Sequence, residues 1–197
     1  VLSTLDSLKK LGIKVLLKKK YCEIEGSGIN TFKENKKVTI DAGNSGTLGR
    51  LILGLLVHKK NEVKIIGDKS LSKRDFSRVI LPLKKFGASF KYKTNYKLPI
   101  KVYGTDKARP IIYHEKKGSA QCKSAVMLAA LNTKGETIIK AKKSRDHTEI
   151  LFKCLNIPIN IKKYRNFDLI KIRGKKQFLG FNYNIPSDIS SSAFFIV

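Results

Sequence analysis

Apolar residues recur at two different spacings along this chain, and the switch between them marks its elements. "VLSTLDSLKKLGIKV" carries Leu2, Leu5, Leu8 and Leu11 at helical spacing with charges between them, the pattern of an amphipathic helix. "FKYKTNYKLPIKVYG" instead sets lysines at alternate places, as the outer face of half-buried strands does. Two further runs, Leu51 to Val57 and Ala125 to Leu131, are apolar nearly all round, which predicts helices enclosed on every side. Enclosed helices with lysine-faced sheets outside them invert the usual α/β layering, and mixed strand pairing is expected.

The pattern also repeats, at a period of about 70 residues. "LKKLGIKV" at Leu8 to Val15 returns as "LKKFGASF" at Leu83 to Phe90, and "SKRD" at Ser72 to Asp75 returns as "KSRD" at Lys143 to Asp146. Between these marks each copy has a small-polar loop, an apolar helix and an alternating strand. The unit therefore reads as strand, loop, buried helix, strand, second helix, then two strands joined as a hairpin. Asp75 and Asp146 are candidate N-caps, and Glu149 three residues after Asp146 suggests a capping box. Gly12, Gly87, Gly135 and Asn156 stand where helices end in a left-handed residue. Pro82 inside "SRVILPLKKF" predicts a kink or an irregular first turn.

Composition narrows the class. A chain of 197 residues, 42% of them hydrophobic, can bury a real core, and its longest apolar runs fall far short of the roughly 20 residues that span a membrane. The chain opens inside a helical pattern and stops at the apolar "SSSAFFIV", so truncation at both ends is expected. Cys22, Cys122 and Cys154 are widely spaced, without the spacing of a metal site or a disulfide framework, which points to reduced thiols, a cytoplasmic setting and no metal. The net charge of +26 admits two readings, a polyanion partner such as nucleic acid or a solvated lysine surface. The even spread of the lysines and their alternation with apolar residues favour the second. A positive field also concentrates small phosphorylated substrates.

Three loops carry the candidate chemistry. "GNSGTLGR", Gly43 to Arg50, places Asn44, Gly46 and Thr47 at the mouth of the first enclosed helix, where unpaired backbone N–H groups and a partial positive charge suit an anion. It lacks the Gly-Lys-Ser/Thr of a Walker loop. "GDKSLSKRDFSR", Gly67 to Arg78, sets Lys73 and Arg74 before another helix, and arginine offers a planar fork of donors for phosphate or carboxylate. "KKGSAQCKSA" presents Ser119 and Gln121 ahead of the second enclosed helix, with "KKSRDHTE" adding Ser144 and Arg145. His58, His114 and His147 stand near lysines or a cap, and nothing in the pattern sets them against a carboxylate or thiol, so each reads as solvated or capping. The result is an anion cradle with several donors and no visible general acid or base.

"GNSGTLGRL", "GDKSLSKRDFSRVILPLKKFGA", "SAQCKSAVMLAALNTKG" and "SRDHTE" together resemble the enolpyruvylshikimate-phosphate synthases, or 3-phosphoshikimate 1-carboxyvinyltransferases, across nearly the whole chain. The resemblance implies a two-domain transferase of about twice this length, each domain made of three βαβαββ units, with no cofactor and no metal. Residues 1–182 would then form a three-unit domain truncated at its start, and 183–197 a crossover into the second domain. The family moves the enolpyruvyl group of phosphoenolpyruvate to the 5-hydroxyl of shikimate 3-phosphate, releasing phosphate, on the shikimate route to chorismate and the aromatic amino acids. By motif position, Ser119, Ala120, Gln121, Ser144 and Arg145 would hold shikimate 3-phosphate, and Asn44, Gly46, Thr47, Arg74 and Gln121 would line the phosphoenolpyruvate pocket. The resemblance places no catalytic acid or base within this chain; the fragment alone is expected to be inactive and the whole protein monomeric, with no nucleic-acid or membrane partner.

Glyphosate-tolerant members of the family often carry alanine where Gly46 stands, so the resemblance implies a glyphosate-sensitive enzyme. One departure is Asp75, where the family usually has proline: the helix can start from either, but a carboxylate beside Arg74 is a competitor for its guanidinium. The related enolpyruvyl transferase that acts on a UDP-sugar, UDP-N-acetylglucosamine, is the alternative of the same fold, and none of the three cysteines lies in the mobile loop where that enzyme keeps a reactive one. A basic nucleic-acid-binding module is the alternative of another class, with Tyr92, Tyr96 and Tyr103 among lysines in its favour, although their strand spacing is also explained by packing.

Overall fold

The computed structural model describes residues 1–26, 28, 37–174 and 177–185. Helix α1 (Leu2–Lys10) leads through Gly12, at φ +88°, into the antiparallel hairpin β1 (Lys14–Leu17) and β2 (Cys22–Glu25). Then come β3 (Val38–Asp41), α2 (Gly46–Leu55), β4 (Val63–Ile66), the single turn α3 (Lys69–Ser72), α4 (Ser77–Phe86), β5 (Ser89–Tyr92) and β6 (Ile100–Tyr103). A second set follows: β7 (Ile112–Glu115), α5 (Ala120–Leu131), β8 (Glu136–Lys142), α6 (His147–Cys154), β9 (Ile159–Lys163) and β10 (Phe167–Arg173).

The two sets share one connectivity. The strand orders are β3-β4-β6-β5 and β7-β8-β10-β9; in each the first two strands run parallel and the remaining pairs antiparallel. These are two complete βαβαββ units, and α1-β1-β2 matches the closing helix and hairpin of a third. The expected crossover at 183–197 lies largely outside the described residues, and 177–185 form neither helix nor strand.

Alternation along the strands sorts their side chains. Val63, Ile65, Ile100 and Val102 of the first sheet, and Ile139, Ala141, Ile170 and Ile172 of the second, point into the core. Lys64, Lys101, Lys140 and Lys171 take the opposite face, where their charge stays hydrated. The helices fill the space between. Gly54 of α2 abuts Ala125 of α5 so closely that an added Cβ would stand 2.2 Å from the Ala125 carbonyl oxygen. Each unit also ends on a glycine with the same task. A Cβ at Gly104 would meet the carbonyls of Leu56, Val57 and Lys59 at 2.5 Å, and one at Gly174 the carbonyls of Ala130 and Thr133 at 2.1 and 2.2 Å. The last strand of each unit thus closes over the C-terminal end of its enclosed helix.

Several local expectations need correction. Both enclosed helices start earlier than the apolar runs, at Gly46 and Ala120, where Ser45 and Ser119 cap first turns whose polar residues the apolar runs leave out. Asp146 makes no side-chain cap bond, and its carboxylate lies 3.5 Å from Lys163 instead; Glu149 is drawn inside to pair with Lys123, so no capping box forms. Helix α4 runs unbroken through the buried Pro82, with no irregular first turn there. Gly135, at φ +108°, lies in the turn beyond Asn132, which ends α5, whereas Gly87 and Asn156 do follow their helices at φ +113° and +52°. His58 is half-buried, with Nε2 3.0 Å from the Ala129 carbonyl and 3.2 Å from Thr133 Oγ1, and so ties the end of the first enclosed helix to the end of the second. Tyr96 stands in the turn before β6 at φ +58°, its ring 4.5 Å from that of Tyr92.

Candidate active site

Strands β3 and β4 lie side by side and parallel, so both deliver their following loops to the same edge of the sheet, where open α/β sheets receive ligands. The loops are stitched together there. Gly43, at φ +52°, takes the Asp41 carboxylate on its N–H at 2.8 Å and offers its carbonyl to the Asp68 N–H at 2.9 Å. Asp68 then caps α3 by accepting from Leu71 N–H at 2.7 Å. On the first loop Ser45 caps α2, its hydroxyl accepting from Leu48 N–H at 3.1 Å. That leaves Gly46 and Thr47 in the first turn of α2, facing the second loop.

Gly46 is the floor of the cradle. A Cβ on it would stand 2.8 Å from Arg50 Nη1 and 3.1 Å from Arg74 Nη1, so two guanidinium groups converge over a position with no side chain. Arg50 Nη1 donates to Gln121 Oε1 at 2.8 Å, and Gln121 Nε2 donates to Thr47 Oγ1 at 2.8 Å. The start of α2 and the start of α5 are thereby joined through one amide that uses both its donor and its acceptor. The Arg50 guanidinium lies 5.4 Å over the Phe76 ring. Burial, and then the charges of Arg74 and Arg78, hold the Arg50 pKa below its ordinary value against the opposing pull of Cys122 and Asp75. Gathering like charges at a partly desolvated spot is unfavourable, and an anion placed there would offset it.

Asp75 does not take Arg74. Its carboxylate accepts from Ser77 N–H at 2.7 Å and from the Ser77 hydroxyl at 2.6 Å, which turns it toward the start of α4. The Ser77 hydroxyl above all, then its N–H and the Arg78 and Arg50 charges, hold the Asp75 carboxyl below the usual carboxylate range, while its partial burial opposes them. Arg78 is occupied elsewhere: it pairs at 3.0 Å with Glu115, whose nearly buried carboxylate also accepts from Lys117 N–H at 3.2 Å and Gly118 N–H at 2.6 Å.

The second unit repeats the arrangement. Ser119 caps α5, its hydroxyl accepting from Cys122 N–H at 3.3 Å, and Ala120 and Gln121 follow in the same turn. The loop carrying Ser144 and Arg145 lies against this turn, with Lys123 Nζ donating to the Arg145 carbonyl at 2.9 Å and Ser124 Oγ 2.6 Å from Thr148 Oγ1. Ser144 Oγ is buried without a hydrogen-bond partner, and the Arg145 side chain is exposed.

The structure therefore brings Gly46, Thr47, Arg74 and Gln121 directly together, and joins Ser119, Ala120, Ser144 and Arg145 to them through α5. Asn44 is exposed; its carbonyl accepts from Gly46 N–H at 3.1 Å while no contact ties its side chain to the cradle. Sequence reasoning missed Arg50. It stands four residues after Gly46 and three after Thr47, so it shares their helical face, but starting the helix at Leu51 hid that. Two open clefts of about 390 and 310 Å³ flank β7, lined in part by His114 and Lys116, and hold none of the predicted site residues. Among the described residues no group of three His, Cys, Asp or Glu side chains stands ready for a metal, no helix is long and apolar enough to cross a membrane, and the three cysteines are unpaired.

Comparison with known proteins places the fold. The family model for EPSP synthase (3-phosphoshikimate 1-carboxyvinyltransferase) matches residues 1–197. The 3-phosphoshikimate 1-carboxyvinyltransferases of Streptococcus agalactiae and Ruthia magnifica are 41% and 43% identical to the chain, covering all of it and 45% and 44% of their own lengths. A solved structure of EPSP synthase from Acinetobacter baumannii superposes with a TM-score of 0.86 at 33% identity, over 99% of this chain and 43% of that one. The chain thus spans less than half the length of these relatives. The family match over the whole chain and the likeness of the fold show that the chain belongs to the EPSP synthase family.

Proposed function

We propose that the protein carrying this chain transfers the enolpyruvyl group of phosphoenolpyruvate to the 5-hydroxyl of shikimate 3-phosphate and releases phosphate, with this chain supplying one wall of the active site. The observation that carries the reading is the Gly46 cradle: two guanidinium groups and an amide meet over a position without a side chain, at the first turn of an enclosed helix. Phosphoenolpyruvate is small and multiply anionic, and it suits that spot. Arg74 and Arg50 would meet its negative charge, Gly46 would give it room, and Gln121 would bridge it to the acceptor sugar. Asn44 and Thr47 would line the rim.

Shikimate 3-phosphate would lie along the start of α5, over Ser119, Ala120 and Gln121, with its phosphate toward Ser144 and Arg145. The buried, partnerless Ser144 hydroxyl supports this, since such a group calls for a ligand. The groups that move protons to the enolpyruvyl methylene and from the attacking hydroxyl are assigned to the part of the protein that completes the cleft. The unpaired cysteines fit a cytoplasmic enzyme.

Phosphate release that requires both substrates, measured on the complete gene product, tests the reaction; no release with both present would refute it. For the 197-residue chain alone the expected result is weak binding of shikimate 3-phosphate and no turnover. Turnover by the chain alone would refute the assignment of only one wall.

A further inference from the structure

Below the proposed shikimate 3-phosphate seat lies a charged pair that the cradle does not use. Lys123 is 1% exposed, and its ammonium is ion-paired with the Glu149 carboxylate, itself 4% exposed, while donating to the Arg145 carbonyl at 2.9 Å. Lys123 sits two residues after Gln121 on α5, and Glu149 in the first turn of α6. Between them runs the loop of Ser144 and Arg145, fixed at its other end by Lys143 and Asp168 at 2.6 Å.

This pair is poorly built as a source of stability. Two buried charges recover their lost hydration only when further hydrogen bonds satisfy them, and Glu149 Oε2 has no partner. What the ammonium does accomplish is geometric: it spans from the turn that carries Gln121 to the backbone that carries Arg145, so the two move as one piece. We propose that the Lys123–Glu149 pair is a positioning strut that sets the Ser144–Arg145 loop against the start of α5 and so determines affinity for shikimate 3-phosphate, a proposal that rests on the reading of these two segments as that substrate's seat. Neither side chain touches substrate. Their effect passes through the Arg145 carbonyl.

The test replaces both charges together, Lys123→Met with Glu149→Leu, so that neither is left buried alone. In phosphate-release kinetics on the complete gene product, KM for shikimate 3-phosphate should rise about tenfold, as when a charge-assisted bond no longer aligns a ligand group, with KM for phosphoenolpyruvate changed less than about twofold. Equal rises in both KM values, or no rise in either, would overturn the strut. A Ser144→Ala control separates the two ideas. If it raises KM for shikimate 3-phosphate and the double variant does not, the strut falls and the seat stands. If neither variant changes it, the seat was misread and the strut falls with it. Should the double variant fail to fold, Glu149→Asp carries the same test: it keeps both charges, draws the carboxylate back from the ammonium by one methylene, and should shift KM for shikimate 3-phosphate alone.

Discussion

Replacing Gly46 with alanine separates the architecture from the chemistry. The new methyl would stand 2.8 Å from Arg50 Nη1, where ordinary contact begins near 3.4 Å, so that guanidinium must retreat by at least about 0.6 Å; Arg74, at 3.1 Å, must give by a few tenths. Both obstacles are the far ends of flexible side chains. The fold should therefore absorb the change, helped by alanine's advantage over glycine in a helix of roughly 0.5–1 kcal/mol. The cost falls on the cradle. A retreat of about 0.6 Å can stretch the 2.8 Å bond from Arg50 to Gln121 beyond the usual range of roughly 2.7–3.2 Å and moves the guanidinium off its present position, and a hydrogen bond to a charged group is worth about 1.5–3 kcal/mol, or roughly ten- to a hundredfold in affinity. The expected outcome is a KM for phosphoenolpyruvate raised at least tenfold, with a melting temperature within a few degrees of the parent. Glyphosate inhibition should fall in parallel, the parent being sensitive and the variant tolerant. Steady-state phosphate release at varied phosphoenolpyruvate, with differential scanning calorimetry alongside, measures both. An unchanged KM, or a collapse in stability, would refute the account of Gly46 as room for a ligand, as would a parent enzyme that high glyphosate leaves uninhibited.

Other expectations follow from the same geometry. Gly54→Ala puts a methyl 2.2 Å from a backbone carbonyl of α5 that cannot swing away, so chemical denaturation should show a loss of about 3 kcal/mol, in contrast to Gly46→Ala. Gly104→Ala and Gly174→Ala, whose new methyls would stand only 2.5 and 2.1 Å from the carbonyl oxygens at the ends of α2 and α5, should each cost a comparable amount, and a neutral result at either would contradict the closing role given to it. Gln121→Ala removes the bridge between Thr47 and Arg50 and should weaken both substrates, read as a rise in both KM values. Asp75 has a lower pKa folded than unfolded, so its bonds to Ser77 stabilise the start of α4 at neutral pH and down to about pH 4, the ordinary carboxylate value, and that contribution is lost as the pH falls through the folded pKa. In Ser77→Ala, NMR titration of Asp75 should show its pKa rising toward the ordinary value.

The layering of the fold was legible because two independent signals agreed. Runs apolar on all sides marked α2 and α5, and lysines at every second place marked the outer faces of the sheets. The second copy of each signal then gave the repeat. The cradle was legible only in part. Gly46, Thr47, Arg74 and Gln121 announce themselves as small or anion-seeking residues beside helix starts, whereas Arg50 is hidden by a helix that opens at Gly46, ahead of the apolar run that begins at Leu51. Lys123 left a sharper clue, as a lysine inside an otherwise enclosed helix, which can survive there only if another element brings it a partner. Glu149 was misread for the same reason: spacing from Asp146 suggested a cap, but local spacing carries no information about a charge arriving from α5. The short helix α3 escaped notice because one turn of helix is too short to show a period.

The close approach of Gly54 to Ala125 has a bearing on how the chain folds. Each repeat surrenders its central helix to a shared interior, so neither repeat alone can hide that helix from water. A chain severed in the linker between β6 and β7 would leave both pieces with a bare apolar rod, and amide exchange from the two rods should report a single opening event common to both halves.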